Sequence, residues 1–207
     1  MEAALMHVFG SAGPSHYRYD GKTDMQIVRE LMRLDGHGDE RIDEHMEPLL
    51  ARYLDGLHRE LADETGHIYL CAGISELLDA LEGRDDAVLG LLTGNVATGA
   101  AAKLAAVGVD FGRFRVGAFG SDHEHRPELP AVARERTREV LGLDLPGDAF
   151  VVIGDTPSDI ECGRGIGARA IGVATGHYTV EQLESHRPAA TFQDLSNTSA
   201  VIEAIFA

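Results

Sequence analysis

The stretch Ala149–Gly167 places two carboxylates directly after an apolar run. A short, β-branched segment ends at Gly154, Asp155 and Asp159 follow, and Pro157 stands where a helix could begin. Its length and β-branched residues favour a strand, and proline suits a first helical position because its missing N–H has no partner there. Ligands bind at the carboxyl ends of strands in open α/β sheets, so this pattern predicts a site at the end of this strand.

Asp155 and Asp159 lie four residues apart across the predicted strand-to-helix turn and can face one small volume. Carboxylate oxygens suit Mg²⁺, which keeps several waters and takes few protein carboxylates. A structural interpretation is also open, in which Asp155 caps the helix and Asp159 is a solvated acid of its first turn.

Two further predicted strands end in polar residues. Thr93 follows the apolar run Ala87–Leu92. Its hydroxyl and the N–H groups of Gly94 and Asn95, which open a helix, offer donors to an anion. Arg126 precedes another helix and can supply a fixed positive charge to a phosphoryl group. Alone, Thr93 also suits a helix cap and Arg126 a surface position, but three such strand ends together predict a phosphate and metal site.

Composition limits the classes of partner. The 207 residues are 44% hydrophobic, with no apolar run of membrane-spanning length and no basic leader, so we expect a cytoplasmic protein that binds no membrane. The net charge of −16 disfavours nucleic acid. The same charge would repel a phosphorylated metabolite unless a metal and local cations reverse the field. Cys71 and Cys162 are expected to be buried free thiols.

The predicted secondary structure changes near residue 70. Before it, apolar periodicity predicts helices over residues 1–8, 23–34 and 39–61, the second opening with a capping box of Thr23 and Gln26. After it, predicted strands alternate with helices, including one over 127–142 that turns Leu129 and Val140 inward. This alternation predicts a parallel sheet covered on both faces.

With these residues, the chain resembles the haloacid dehalogenase (HAD) superfamily, and most closely its phosphoglycolate-phosphatase-like branch. The resemblance lies in the second, third and fourth motifs of that family, here Leu92-Thr93-Gly94-Asn95, Arg126-Pro127 and Gly154-Asp155-Thr156-Pro157-Ser158-Asp159. It implies an α/β fold, a HAD-like Rossmannoid parallel sheet with helices on both faces. Residues 1–70 would form a helical cap domain and residues 71–207 an incomplete core domain.

The resemblance also implies roles for these residues. Thr93 would bind the transferring phosphoryl group, Arg126 would stand where the family usually has lysine, and Asp155 would ligate Mg²⁺. Asp159 would support the metal through water or orient the basic residue. From the cap, Lys22 or Arg18 could touch substrate, although a solvated loop is the alternative for both.

The family's first motif, an aspartate nucleophile at the end of the central strand, has no counterpart in this sequence. In the family that strand lies between the strands predicted at 87–92 and 149–153. Without it, two rows of backbone groups would be unpaired. We therefore expect a natural chain longer by roughly 20 residues, about a strand, a loop and two helical turns.

The expected function is that of a Mg²⁺-dependent phosphatase of a small phosphorylated metabolite, acting through an aspartyl-phosphate in the full-length protein. A haloacid dehalogenase is a related alternative, which the acidic pair disfavours because that reaction needs no metal. A phosphate-binding or scaffold protein that has lost the nucleophile is an alternative from another class. A receiver-like signalling domain is disfavoured by the long helical segment before the sheet. The substrate and the oligomeric state are left open.

Overall fold

The computed structural model describes residues 1–63 and 68–207. The helices in these ranges are α1 Glu2–Phe9, α2 Asp24–Leu34, α3 Asp39–Ala62, α4 Ile74–Glu82, α5 Ala97–Ala106, α6 Leu129–Leu141, α7 Pro157–Cys162, α8 Val180–Glu184 and α9 Thr198–Phe206. The strands are β1 Gly90–Thr93, β2 Val116–Phe119, β3 Val151–Gly154, β4 Arg169–Val173 and β5 Ala190–Phe192. No helix of these two ranges is long and apolar enough to cross a membrane.

Helices α1, α2 and α3 share one hydrophobic cluster, separate from the clusters around the strands. Its fully buried members are Leu5, Val28, Leu31, Met32, Ile42 and Leu49. Each helix contributes residues three or four apart, which places them on one face. The division of the chain near residue 70 stays a prediction, and residues 64–67 of the expected cap lie outside the described residues.

The strands form two parallel sheets. In the first, β1 pairs with β2, with Thr93 opposite Phe119. In the second, the order is β3-β4-β5, with Gly154 opposite Gly172. Strands β1 and β3 are not hydrogen-bonded to each other, which agrees with the expectation that the central strand of the family's sheet is missing from this chain. This division falls where the resemblance to the HAD superfamily places the family's first strand.

The exposure of the strands follows from this division. Strand β4, paired on both sides, has four of its five residues buried. Strand β3, paired only with β4, has all four residues half-buried, although its sequence Val-Val-Ile-Gly is that of an interior strand. Strand β1 is likewise half-buried from Leu91 to Thr93. In the described part of the chain, no strand pairs with the second edge of β1 or with the second edge of β3.

Helices cover both faces of the second sheet. Alternate residues of β4 point to opposite sides, as the two-residue period of a strand requires. Ile171 and Val173 pack in a cluster with residues of α4 and α9, whereas Ala170 packs with Ile160 of α7 and Leu183 of α8. The predicted covering of a parallel sheet on both faces is confirmed here.

Several sequence expectations need correction. Val140 is 65% exposed, and Thr137 is buried in its place on α6, where its hydroxyl donates to the carbonyl of Ala133 at 2.8 Å. Cys162 is buried as expected, but Cys71 is exposed. Both errors come from assigning burial by residue type, since a threonine that satisfies its own hydroxyl is readily buried.

Helix α2 has half of the predicted capping box. The Thr23 hydroxyl accepts the Gln26 N–H at 3.1 Å, but the Gln26 amide donates to Glu30 at 2.7 Å. The corresponding prediction for α8 is confirmed, because Thr179 and Gln182 each accept from the other's backbone N–H.

Candidate functional site

The three predicted polar groups follow three parallel strands. Thr93 is the last residue of β1, and Asp155 comes directly after β3. Arg126 lies in a short 3-10 helix, Arg126–Glu128, between β2 and α6. Thr93 and Asp155 thus lie at carboxyl ends of strands, whereas Arg126 lies in the connection between the end of β2 and α6.

Asp159 has two protein partners. Its Oδ2 accepts the N–H of Thr156 at 3.0 Å and the hydroxyl of Thr156 at 2.7 Å, and Thr156 Oγ1 accepts the N–H of Asp159 at 3.2 Å. This capping box begins α7. The other oxygen, Oδ1, accepts a hydrogen bond from Nη2 of Arg126. The structural interpretation left open above is therefore wrong in both parts, because Thr156 is the cap and Asp159 is buried.

The ion pair between Arg126 and Asp159 is almost enclosed. The two side chains are 12% and 9% exposed. Nε of Arg126 is buried and has no hydrogen-bond partner among the described residues. A buried donor without a partner is costly, and an anion at this position would satisfy it. Orientation of the basic residue, one of the two roles expected for Asp159, matches this contact.

Asp155 differs from Asp159 in having no ion pair in the described part of the chain. Burial raises its pKa, the neighbouring charge of Asp159 raises it further, and Arg126 lowers it. The charge of Asp20, in the segment between α1 and α2, raises the pKa of Asp155 by a smaller amount. A side chain at Gly176 would overlap the Asp155 carboxylate, so the loop after β4 closes tightly over it.

The loop after β1 is ordered by its own hydrogen bonds. Thr93 Oγ1 accepts the N–H of Asn95 at 3.2 Å, which leaves the hydroxyl proton of Thr93 free to donate. Oδ1 of Asn95 accepts from Lys103 of α5 at 2.9 Å. Of the donors predicted here, the N–H of Asn95 is thus already engaged. The phosphate-binding roles of Thr93, Gly94 and Asn95 stay predictions.

The segment between α1 and α2 runs directly over these loops. A side chain at Gly21 would overlap Ser158, and one at Gly94 would overlap the carbonyl oxygen of Lys22. The two adjacent residues Gly21 and Lys22 therefore connect the end of β3 with the end of β1. At the edge of this segment, Arg18 donates to the Tyr178 hydroxyl at 3.1 Å.

The side chain of Lys22 is held within the helical part. Its Nζ donates to Glu30 at 2.5 Å and to the Tyr17 hydroxyl at 3.0 Å. Hydrogen bonds from Lys22, Tyr17 and Gln26 lower the pKa of Glu30 against the effect of burial. The charge of Lys22 is therefore neutralised locally, and its contact with substrate stays a prediction.

Sequence reasoning missed the residues that join the helical part to the strand ends. Arg29 of α2 pairs with Glu124 at 2.7 Å, and the Thr23 hydroxyl donates to the Glu124 carbonyl at 2.5 Å. Asp24 bonds to the loop after β1. The signal that the sequence offered was the position of Thr23 and Asp24 at the start of a predicted helix. Because helix capping alone explains these residue types there, the pattern did not indicate their contacts with the strand ends.

The donors at the end of β3 fit a hard divalent cation. Asp155 is an unpaired, half-buried carboxylate beside a second carboxylate, and a cation there would offset the cost of its charge. Residues 1–63 and 68–207 contain no group of three or more His, Cys, Asp or Glu side chains placed to hold a metal. Ligation of a metal by Asp155 and by Asp159 therefore stays a prediction.

A comparison with protein-family models matches part of the chain. Residues 127–198 match the HAD-hydrolase-like family model, which includes Asp155 and Asp159 but neither Thr93 nor Arg126. No curated protein matches the chain in sequence.

Solved structures resemble the chain over nearly its whole length. A predicted phosphoglycolate phosphatase from Haemophilus somnus 129PT has 18% identity and a TM-score of 0.65, covering 97% of this chain and 88% of that one. A HAD hydrolase of family IA, variant 3, from Entamoeba histolytica has 16% identity, a TM-score of 0.66, and coverage of 100% and 90%. CbbY from Rhodobacter sphaeroides, solved with phosphate, has 19% identity, a TM-score of 0.65, and coverage of 94% and 87%.

These likenesses establish the fold, and the family model adds the sequence pattern around the fourth motif. The fold expected from the resemblance is confirmed: the chain has the HAD-like Rossmannoid fold, and residues 127–198 resemble the HAD-hydrolase-like family in sequence.

Proposed function

We propose that this protein is a Mg²⁺-dependent phosphatase of a small phosphorylated metabolite. The observation that carries the proposal is the group at the end of β3. There the enclosed Arg126, with its unpartnered Nε, lies beside Asp159 and the unpaired Asp155. A cationic donor and a free carboxylate next to each other are what a phosphate dianion and its metal require.

Each residue has a separate task in this proposal. Thr93 donates its hydroxyl proton to a phosphoryl oxygen, and Arg126 donates from its guanidinium. Asp155 holds Mg²⁺, which when bound neutralises charge on the phosphoryl group. Asp159 keeps Arg126 in place. The segment around Gly21 and Lys22 covers the site and limits its access to water.

The proposed reaction also needs a nucleophile. Among the described residues, no aspartate ends a strand between β1 and β3. We propose that an aspartate on a further strand, lying between these two, attacks phosphorus. The P–O bond to the alcohol breaks, the alcohol oxygen takes up a proton, and water then hydrolyses the aspartyl-phosphate. The unpaired, half-buried edges of β1 and β3 support this placement.

A direct test measures binding and turnover separately. Titration of the chain with inorganic phosphate and Mg²⁺ by calorimetry should show binding that is lost in Arg126→Met and weakened in Thr93→Val. Asp155→Asn should abolish the dependence on Mg²⁺. Absence of phosphate binding to the wild-type chain would contradict the proposal.

A phosphate-binding protein without turnover is the second candidate, and it is favoured by the absence, among the described residues, of an aspartate at the end of a strand between β1 and β3. It predicts the same binding but no hydrolysis of p-nitrophenyl phosphate, even by the chain that the organism itself produces. The intact mass of that natural protein, compared with 22.2 kDa, shows whether a further strand is present. A dehalogenase would instead act on a haloacid without added Mg²⁺.

A further inference from the structure

Asp24 joins the helical part of the protein to the loop after β1 by two hydrogen bonds. It is the first residue of α2 and only 4% exposed. Its backbone N–H donates to the carbonyl of Gly94 at 2.8 Å. Its carboxylate Oδ2 accepts the N–H of Val96 at 2.8 Å. Asp24 therefore holds the loop by both a backbone group and a side chain.

The bond to Val96 replaces a local helix cap. Val96 is the N-cap residue of α5, and its own side chain has no polar atom with which to cap the helix. Without Asp24, the N–H of Val96 would be a buried donor with no acceptor. The start of α5, which follows Thr93 and Gly94, thus depends on a carboxylate 72 residues earlier in the chain.

The opposite side of the same loop is held by the core. The N–H of Gly120, after β2, donates to the carbonyl of Asn95 at 2.8 Å, and Lys103 holds the Asn95 side chain. The loop is therefore fixed between two parts of the molecule. Removal of the Asp24 carboxylate would take the acceptor from the N–H of Val96, while the backbone bond from Asp24 to Gly94 and the bonds to the core remain.

We propose that Asp24 is a positioning residue for phosphate binding. It contacts no phosphate itself. It fixes the peptide groups of Gly94 and Asn95, and through them the Thr93 hydroxyl, in the orientation that meets a phosphoryl group. Docking of the helical part thereby completes the phosphate site. This inference rests on the proposed function.

The experiment measures the affinity of the chain for inorganic phosphate in the presence of Mg²⁺, by calorimetry, together with urea unfolding of each variant. Asp24→Ala should weaken phosphate binding by about tenfold, because the loop loses its acceptor. Asp24→Asn keeps an acceptor oxygen of the same shape and should restore the affinity to within about threefold of wild type.

Val28→Ala is the matched control. Val28 lies one turn further along α2 and is fully buried in the cluster of α1, α2 and α3, away from the loop. This variant should lose stability but keep the phosphate affinity of wild type. A merely structural role of Asp24 predicts that Asp24→Ala and Val28→Ala behave alike.

Three results would overturn the inference while the proposed function stands. They are unchanged affinity in Asp24→Ala, failure of Asp24→Asn to restore affinity, and an equal loss of affinity in Val28→Ala. A wild-type chain that binds no phosphate overturns the proposed function, and the inference falls with it.

Discussion

The enclosed ion pair between Arg126 and Asp159 makes the stability of the protein sensitive to substitution of either side chain. Asp159→Asn leaves the guanidinium enclosed without its counter-charge, and removal of one partner of a buried pair is strongly destabilising. We expect the free energy of unfolding in urea at pH 7 to fall by about 3 kcal/mol. A fall below about 0.5 kcal/mol, as for an exposed pair, would contradict this.

A double-mutant cycle separates the pair from the capping box. Arg126→Met removes the positive charge but leaves Asp159 bonded to Thr156. Because both single changes break the same pair, the double variant should lose less stability than the two single losses together. Losses that add within about 0.5 kcal/mol would show that the two side chains act independently.

The pH dependence of stability should report on Asp24. Burial raises its pKa, while the bond from Val96 and the charge of Lys103 lower it in part. The folded state therefore binds this proton more tightly than the unfolded state. The contribution of Asp24 to stability is full below the ordinary carboxyl pKa and is lost as pH rises through the raised folded value. Urea unfolding from pH 4 to pH 7.5 should show Asp24→Asn gaining stability over wild type with increasing pH. A constant difference would contradict the shift.

At the scale of a single element, the short helix α7 holds Asp159 of the fourth motif in place. Its capping box shares Asp159 with the ion pair to Arg126, so Thr156→Ala should have two effects. Stability should fall by about 1 kcal/mol, and phosphate affinity should fall because Asp159 loses its anchor. Unfolding in urea and phosphate calorimetry measure the two effects.

Thr179→Ala is the matched control for this change. Thr179 forms the same capping box on α8, and its bonds to Gln182 are exposed. The variant should lose a similar amount of stability, about 1 kcal/mol, without any change in phosphate affinity. Equal affinities for the Thr156 and Thr179 variants would show that Thr156 serves the helix alone.

Local patterns predicted the elements that carry the site but not their contacts. The apolar run before Gly154 and Pro157 after it mark strand and helix through the conformational limits of single residues. The predicted strand at 87–92 is shorter in the structure, and β5 was missed, because strand ends depend on pairing with neighbours. The bonds of Asp24 and Glu124 could not be predicted, since each joins segments brought together only by packing.

At the scale of the whole molecule, we expect one more parallel strand to fit between the two sheets. Strands β1 and β3 each pair on one side only, and both end at the proposed site. Backbone groups left unpaired at a sheet edge readily accept another strand. A further strand with apolar side chains is favoured, because Leu89, Val151 and Ile153 already pack in the cluster with α4 and α9.

This arrangement predicts complementation by a synthetic peptide. An extended, β-branched peptide of about eight residues, long enough to span both strands, should raise the melting temperature in proportion to its concentration. The amides of residues 90–93 and 151–154 that face the opening should gain protection from hydrogen exchange when it binds. A peptide with proline at alternate positions, which cannot donate the required hydrogen bonds, is the control. Equal stabilisation by both peptides, or full protection of these amides before any peptide is added, would show that β1 and β3 accept no further strand.

A peptide that binds and ends in aspartate should also bring hydrolysis of p-nitrophenyl phosphate, whereas the same peptide ending in asparagine should bind without turnover.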